Sequence, residues 1–136
     1  MDQPQWQRVV AALRNVSDID SAVAAAAELQ AAASAEDVPR LVELLADDSF
    51  FVREAAACPL SDLGRLDALP QLLAAYQRGL TDGHDNDGFS ASLIDLVQSK
   101  PVEARVQLSV FANSSDIESC DTARWLLTFV EEAHDA

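Results

Sequence analysis

The sequence predicts an all-α chain: a short solenoid of about four antiparallel helical hairpins around one continuous core. Three observations predict it. Apolar residues recur at helical spacing, most cleanly at Val38, Leu41, Val42 and Leu45, which fall at i, i+3, i+4 and i+7. Connections are short: Ala46-Asp47-Asp48-Ser49 leaves room only for a tight turn, so its flanking helices run antiparallel. Residues also repeat at an interval of 31, with Leu13, Ile19 and Leu29 set against Leu44, Phe50 and Leu60, and Pro39 against Pro70. One helical hairpin per fixed period is the mark of a repeat array. Only four glycines and five prolines in 136 residues argue against a loop-rich β-fold and make helix the default.

Taken in order, a first helix is predicted over residues 4–15, with Trp6, Val9, Val10 and Leu13 inward and Pro4 tolerated in the first turn. A second, over 18–33, has Ser17 as its cap with Asp20 reaching back, and turns Ile19, Ala22, Val23, Ala26 and Leu29 inward. The central pair follows. Its second helix, 49–63, carries the stripe Val52, Ala55, Ala56, Leu60 and Leu63, and Pro59 is expected to kink it or end its regular part. A fifth helix, 67–78, has Asp67 as cap and Leu69, Leu72, Leu73, Tyr76 and Leu80 as its stripe; the longest break, 79–88, comes after it. The sixth, 87–99, buries Phe89, Leu93, Leu96 and Val97, and the seventh, 101–112, presents Val102, Val106 and Val110. The eighth, 116–133, has a capping box at Ser115 and Glu118 and the stripe Ile117, Cys120, Ala123, Leu127 and Val130. The predicted hairpins are therefore 4–33, 36–64, 67–99 and 101–133, in a single domain spanning 1–136.

The central hairpin resembles the HEAT repeat, a helical-hairpin module. Pro39 in the first helix, Asp47 eight residues on, and Val52 with Arg53 five and six after that all stand in register. Only this hairpin carries the whole pattern. In the next, Arg78 occupies the position of the Asp, and the outer two keep only apolar spacing. The resemblance implies a right-handed α-α superhelix whose second helices line a concave face. It also implies a structural ladder role for Pro39, Asp47, Val52 and Arg53, where the bare sequence would also allow a catalytic acid with a charged partner.

Charge is the strongest global signal. Residues 1–35 carry −2, residues 36–80 carry −4 and residues 81–136 carry −8, together the −14 of the chain. Such a field repels nucleic acid and anionic membrane and hastens encounter with basic partners; solubility alone is the bland reading. There is no 18-residue apolar run and no signal-peptide order, so the expected compartment is the cytoplasm. Cys58 and Cys120 lie within amphipathic helices and are expected as buried free thiols.

The loop Thr81-Asp82-Gly83-His84-Asp85-Asn86-Asp87-Gly88 looks most like chemistry. An EF-hand register fails, because Gly88 as the required glycine puts the first ligand on Gly83 and the twelfth on Ile94. Zinc spacing is absent too, the other histidine being His134 near the end. Three readings remain open: a looser oxygen-ligated cation site, plain capping of the next helix by Asp85, Asn86 or Asp87, or an enlarged recognition loop. No nucleophile elbow, phosphate-cradling glycine loop or His-Glu pair is present, so no catalytic set, metal or cofactor is expected.

On the face that the resemblance makes concave, the acidic positions are Glu54, Asp62, Asp87, Asp95, Glu118 and Asp121, with Phe50 or Phe51 and Trp125 adding aromatic area. The expected contacts for a basic protein partner are Asp82, His84, Asp85, Asp87, Asp95, Glu118, Asp121 and Trp125. Small acidic HEAT-like proteins include bacterial immunity proteins that neutralise a toxin, which makes occlusion of such a partner the leading expectation. A scaffold or adaptor subunit is the alternative. A HEAT-like phycobilin lyase or chaperone is a weaker one, since no Cys, His or Arg cluster is present to handle a chromophore.

Overall fold

Capping chemistry and apolar stripes set the elements seen in the computed structural model, which describes the backbone of residues 1–135 and the side chains of residues 1–130. Among the described residues there are eight α-helices and no strand. The chain forms two compact units, Met1–Leu63 and Gly64–Ala136. His134 and residues 131–133 of the eighth predicted helix lie outside the described side chains.

The first unit holds α1 (Gln3–Arg14), α2 (Ile19–Ala32), α3 (Val38–Leu44) and α4 (Phe50–Asp62). The carboxylate of Asp2 accepts the Gln5 N–H at 2.8 Å and caps α1, with Pro4 just inside the helix where its missing N–H costs nothing. The cap of α2 is Asp18 rather than Ser17. Asp18 accepts both the N–H and the hydroxyl of Ser21, while the Ser17 hydroxyl donates to Asn15. A 3-10 turn, Ala35–Asp37, leads into α3, and its Asp37 accepts the Ser34 N–H at 2.9 Å. Ser49 caps α4.

Helix α4 is the hub, packed on α1, α2 and α3. Val9, Leu13, Ala22, Leu29, Leu41, Val52, Ala56 and Leu60 are fully enclosed around it. The predicted stripe of α2 is corrected here. Ile19 and Val23 are 58% and 54% exposed, Ala26 is only half-buried, and Ala22, Ala25 and Leu29 face inward instead. With both α1 and α4 as neighbours, α2 turns its smallest side chains toward them, and the β-branched ones, which would hold the backbones apart, face out. Pro59 does not end α4. The helix runs on to Asp62, with the ring buried and the Leu63 N–H donating to the Pro59 carbonyl at 2.9 Å.

The second unit holds α5 (Leu69–Thr81), α6 (Asp87–Ser99), α7 (Pro101–Ala112) and α8 (Ile117–Asp135). Here α8 is the hub, packed on α5, α6 and α7. Asp67 is not the cap of α5; it sits in a 3-10 turn, Leu66–Ala68, and pairs with Arg65 at 2.8 Å. Leu80 of the predicted stripe is 52% exposed. Because α5 continues to Thr81, the break before α6 is residues 82–86, shorter than expected.

The larger correction is α7. Val102, Val106 and Val110 are 61%, 66% and 69% exposed, and the helix buries Ala104 and Leu108. At 100° per residue the valine stripe lies opposite the buried pair, so the helix is apolar on two faces and pattern alone leaves the inward one undecided. In α8, Ile117 is 74% exposed, and the inner stripe is Cys120, Ala123, Leu126 and Val130, with Leu127 half-buried. Ser115 makes no cap. The helix starts on Asp116, whose carbonyl accepts the Cys120 N–H and whose carboxylate accepts the Ser119 hydroxyl. Cys58 and Cys120 are free thiols, the first half-buried and the second buried. No described helix is long and apolar enough to cross a membrane.

Candidate functional site

The four residues that carry the repeat pattern gather at one turn of the first unit. Pro39 is the second residue of α3, Val52 is fully enclosed, and the buried guanidinium of Arg53 donates from Nη1 to the main-chain oxygens of Asp47 at 2.9 Å and Asp48 at 3.1 Å. Its charge lies 5.7 Å from the Phe50 ring centre. The Asp47 carboxylate accepts the Ser49 N–H at 3.0 Å and two bonds from Arg14, at 2.6 and 2.9 Å. Burial pushes this carboxyl up, but the Ser49 N–H, Arg14 and the charge of Arg53 outweigh that and hold it below the usual carboxylate range. Arg14 thus ties α1 to the α3–α4 turn.

Ion pairs of this kind occupy most of the first unit's cations. Arg8 holds Glu28 of α2 at 2.6 Å, and Arg40 holds Asp37 while lying 4.4 Å from the centre of the Trp6 ring. A groove of about 560 Å³ between α1 and α3 is lined by Trp6, Arg14, Arg40, Glu43 and Asp47 among others. Its arginines already hold Asp47 and Asp37, so the groove offers a ligand little net charge.

The second unit is arranged differently. Helix α5 closes with a Schellman motif: the His84 N–H donates to the Gly79 carbonyl at 2.9 Å and the Gly83 N–H to that of Leu80 at 3.1 Å. Gly83 takes φ +80°, a conformation open to glycine at little cost. This folds the loop back over the last turn of α5. Asn86 then points inward, 7% exposed, and donates from Nδ2 to the Tyr76 carbonyl at 2.9 Å. Asp85 caps the start of α6 by accepting the Asp87 N–H at 3.0 Å. Of the three residues proposed as caps, Asp85 serves as one and Asn86 as an anchor for the loop.

Beside the last turn of α5 lies the first part of α8. Gln77, Leu80 and Thr81 face Glu118, Asp121 and Thr122 across a cavity of about 260 Å³. Glu118 and Asp121 share one helix face, being three residues apart. Asp82 directly follows Thr81, and Arg78 approaches it at 4.0 Å. The structure therefore brings Glu118 and Asp121 to one cavity and sets Asp82 next to its rim. His84, Asp85 and Asp87 are exposed on the loop that continues from it. Asp95 is exposed on the far half of α6 and does not line the cavity.

Trp125 is half-buried rather than a free contact. Its ring stacks on Tyr76, with centroids 5.7 Å apart and planes 9° from parallel, and meets Phe129 edge-on at 5.5 Å. Tyr76 in turn meets Phe89 edge-on at 5.8 Å, and its hydroxyl lies 3.1 Å from that of Ser90. This cluster joins α5, α6 and α8 directly beneath the loop.

Sequence reasoning missed Gln77, Thr81, Thr122 and Asn86. The first three are single polar residues on amphipathic helices and carry no motif; Asn86 was legible only as a cap. Among the described residues, no three His, Cys, Asp or Glu side chains converge where a metal ion is held. The chain matches no protein-family model, no curated protein and no solved structure.

Proposed function

We propose that the chain is a non-catalytic binding module that occludes a basic protein partner with an acidic surface of its second unit. One observation carries this reading: Asp82, Asp85 and Asp87 run on from the α5 turn that faces Glu118 and Asp121, and all five are exposed. The two units carry equal charge, −7 each, from 11 acidic and four basic side chains in the first and 12 and five in the second. Ion pairs use some acids of both units: Arg8, Arg14 and Arg40 hold Glu28, Asp47 and Asp37 in the first, and Arg65 and Arg78 approach Asp67 and Asp82 in the second. Asp85, Asp87, Glu118 and Asp121 lie within ion-pairing distance of no cation among the described residues. Holding these carboxylates together without counter-charge favours a partner that brings it.

The finer reading of the fold belongs to this proposal: a right-handed, HEAT-like succession of about four antiparallel hairpins. Pro39 opening α3, Val52 enclosed and Arg53 bonded to its own turn support it. An immunity protein that neutralises a basic toxin is the form of the proposal that fits a small acidic chain. A scaffold or adaptor subunit would use the exposed valines of α7, which no described contact explains.

Affinity capture with the full chain, followed by kinetics on the captured protein, tests the proposal. The expected partner is basic, with an association rate above the neutral range of about 10⁵–10⁶ M⁻¹s⁻¹ that falls as salt is added. An acidic partner, or association indifferent to salt, overturns it.

A further inference from the structure

We infer that copies of this chain bind one another through two different helices, the valine row of α7 on one copy seating on an apolar row of α2 on the next. Val102, Val106 and Val110 stand exposed along α7, and Ile19, Val23 and Ala27 stand exposed along α2. Both rows are spaced by four residues, so the two helices present the same kind of ridge. Ridges of that spacing pack into one another at about −50°, the commonest way in which two helices meet. Ala24, exposed beside Val23, leaves the shallow groove that an incoming valine ridge needs. Covering the two rows removes β-branched side chains from water on both copies at once.

Charge selects this pairing. The chain is −14 overall, yet Lys100 together with α7 sums to +1, from Lys100, Glu103 and Arg105. Neither cation lies within ion-pairing distance of a carboxylate among the described residues. The start of α2 is the reverse. Asp18 caps it and Asp20 lies in its first turn, both exposed and neither held by a cation among the described residues. Two α7 rows together would set cations against cations, and two α2 rows would set aspartates against aspartates. Only α7 on α2 sets opposite signs side by side. Both rows are short, well below the roughly 800 Å² per partner that a stable complex buries, so the contact is weak and dilute copies stay apart. Neither row includes an acid of the 82–87 loop, which stays free for another partner.

The test is sedimentation velocity on the full chain from about 10 μM to about 1 mM, with single copies expected at the low end and a rising average sedimentation coefficient toward the upper end. Amide shifts of ¹⁵N-labelled chain over the same range are expected along α2 and α7 and not in the 82–87 loop. Val106→Glu and Val23→Lys, both at exposed sites, each put a repelling charge into one row and leave the other row intact. Each variant alone is expected to stay single throughout, with its helical circular dichroism unchanged. Mixed in equal amounts they are expected to pair, because one brings an intact α2 row and the other an intact α7 row. Should either lose its helical signal, Val110→Glu or Ile19→Lys takes its place. A parent chain that stays single at the upper end, shifts confined to other helices, or a mixture that fails to pair would overturn the inference. Self-association that survives in either variant would do the same, since it would mean that like rows meet like.

Discussion

Arg53 and Asp47 meet through the main chain: Nη1 of the fully buried arginine donates at 2.9 Å to the backbone oxygen of Asp47, whose carboxylate is held from α1 by Arg14. One arginine shapes the turn and another ties that turn to the first helix. Replacing Arg53 by Ala leaves the carbonyls of Asp47 and Asp48 short of a donor inside the protein. The expected loss is roughly 1–3 kcal/mol by chemical denaturation. Arg14, with its side chain 56% exposed, should cost at most about 1 kcal/mol when truncated. Equal losses at the two positions would show that the turn is not organised from within.

Acid should act through the same turn. A carboxyl whose folded value is depressed stabilises the fold above its unfolded value, near 3.9, and loses that contribution as pH falls through the folded value. Asp47 is such a group. Denaturation measured from neutrality into acid should therefore show stability declining below about pH 4, and Asp47→Asn should flatten part of that decline. A variant that keeps the full acid dependence would place it in other carboxylates, Asp37 being the next candidate.

Helix α7 provides a sharp contrast between neighbours. Leu108→Ala removes a fully enclosed side chain and should cost about 2–5 kcal/mol, while Val106→Ser, at a site 66% exposed, should stay within roughly 0.5 kcal/mol of the parent. The reverse order would mean that the valine stripe is covered in solution.

Asn86 is expected to control the loop. Asn86→Ala removes the bond to the Tyr76 carbonyl from a buried position and should cost roughly 1–3 kcal/mol. Trp125 stacks on Tyr76, so its fluorescence reports whether the loop has loosened before the unit unfolds. An unchanged melting curve and spectrum would show that the loop is held by the Schellman turn alone.

How much of this was legible follows from what pattern encodes. The helical periods located all eight helices, and Trp6, Val9, Val10 and Leu13 in α1 and Phe89, Leu93, Leu96 and Val97 in α6 are buried as read. Each of those helices has one apolar face. α2 and α7 have more apolar residues than a single face can hold, so the choice depended on neighbours the sequence does not name. α2 chose alanines for close approach, and α7 chose Ala104 and Leu108 over three valines. Caps slipped for a related reason: Ser17, Asp67 and Ser115 each have a competing polar neighbour, and local geometry picked Asp18, the Leu66–Ala68 turn and Asp116. At the candidate site, the acids were legible from charge. Their meeting with Gln77 and Thr81 was not, because it depends on α5 packing against α8 far along the chain.

The central claim is that the position of the acids, and not merely their number, recruits the partner. Association rates of the captured partner should be compared for the parent chain, for Asp85→Lys with Asp87→Lys, and for Asp20→Lys with Glu36→Lys. The last pair changes net charge equally at exposed positions of the first unit. The account predicts a rate at least roughly tenfold slower for the loop pair and a much smaller change for the control, with helical content kept in both. Equal slowing by the two pairs would contradict it and leave the charge as a general property of the surface.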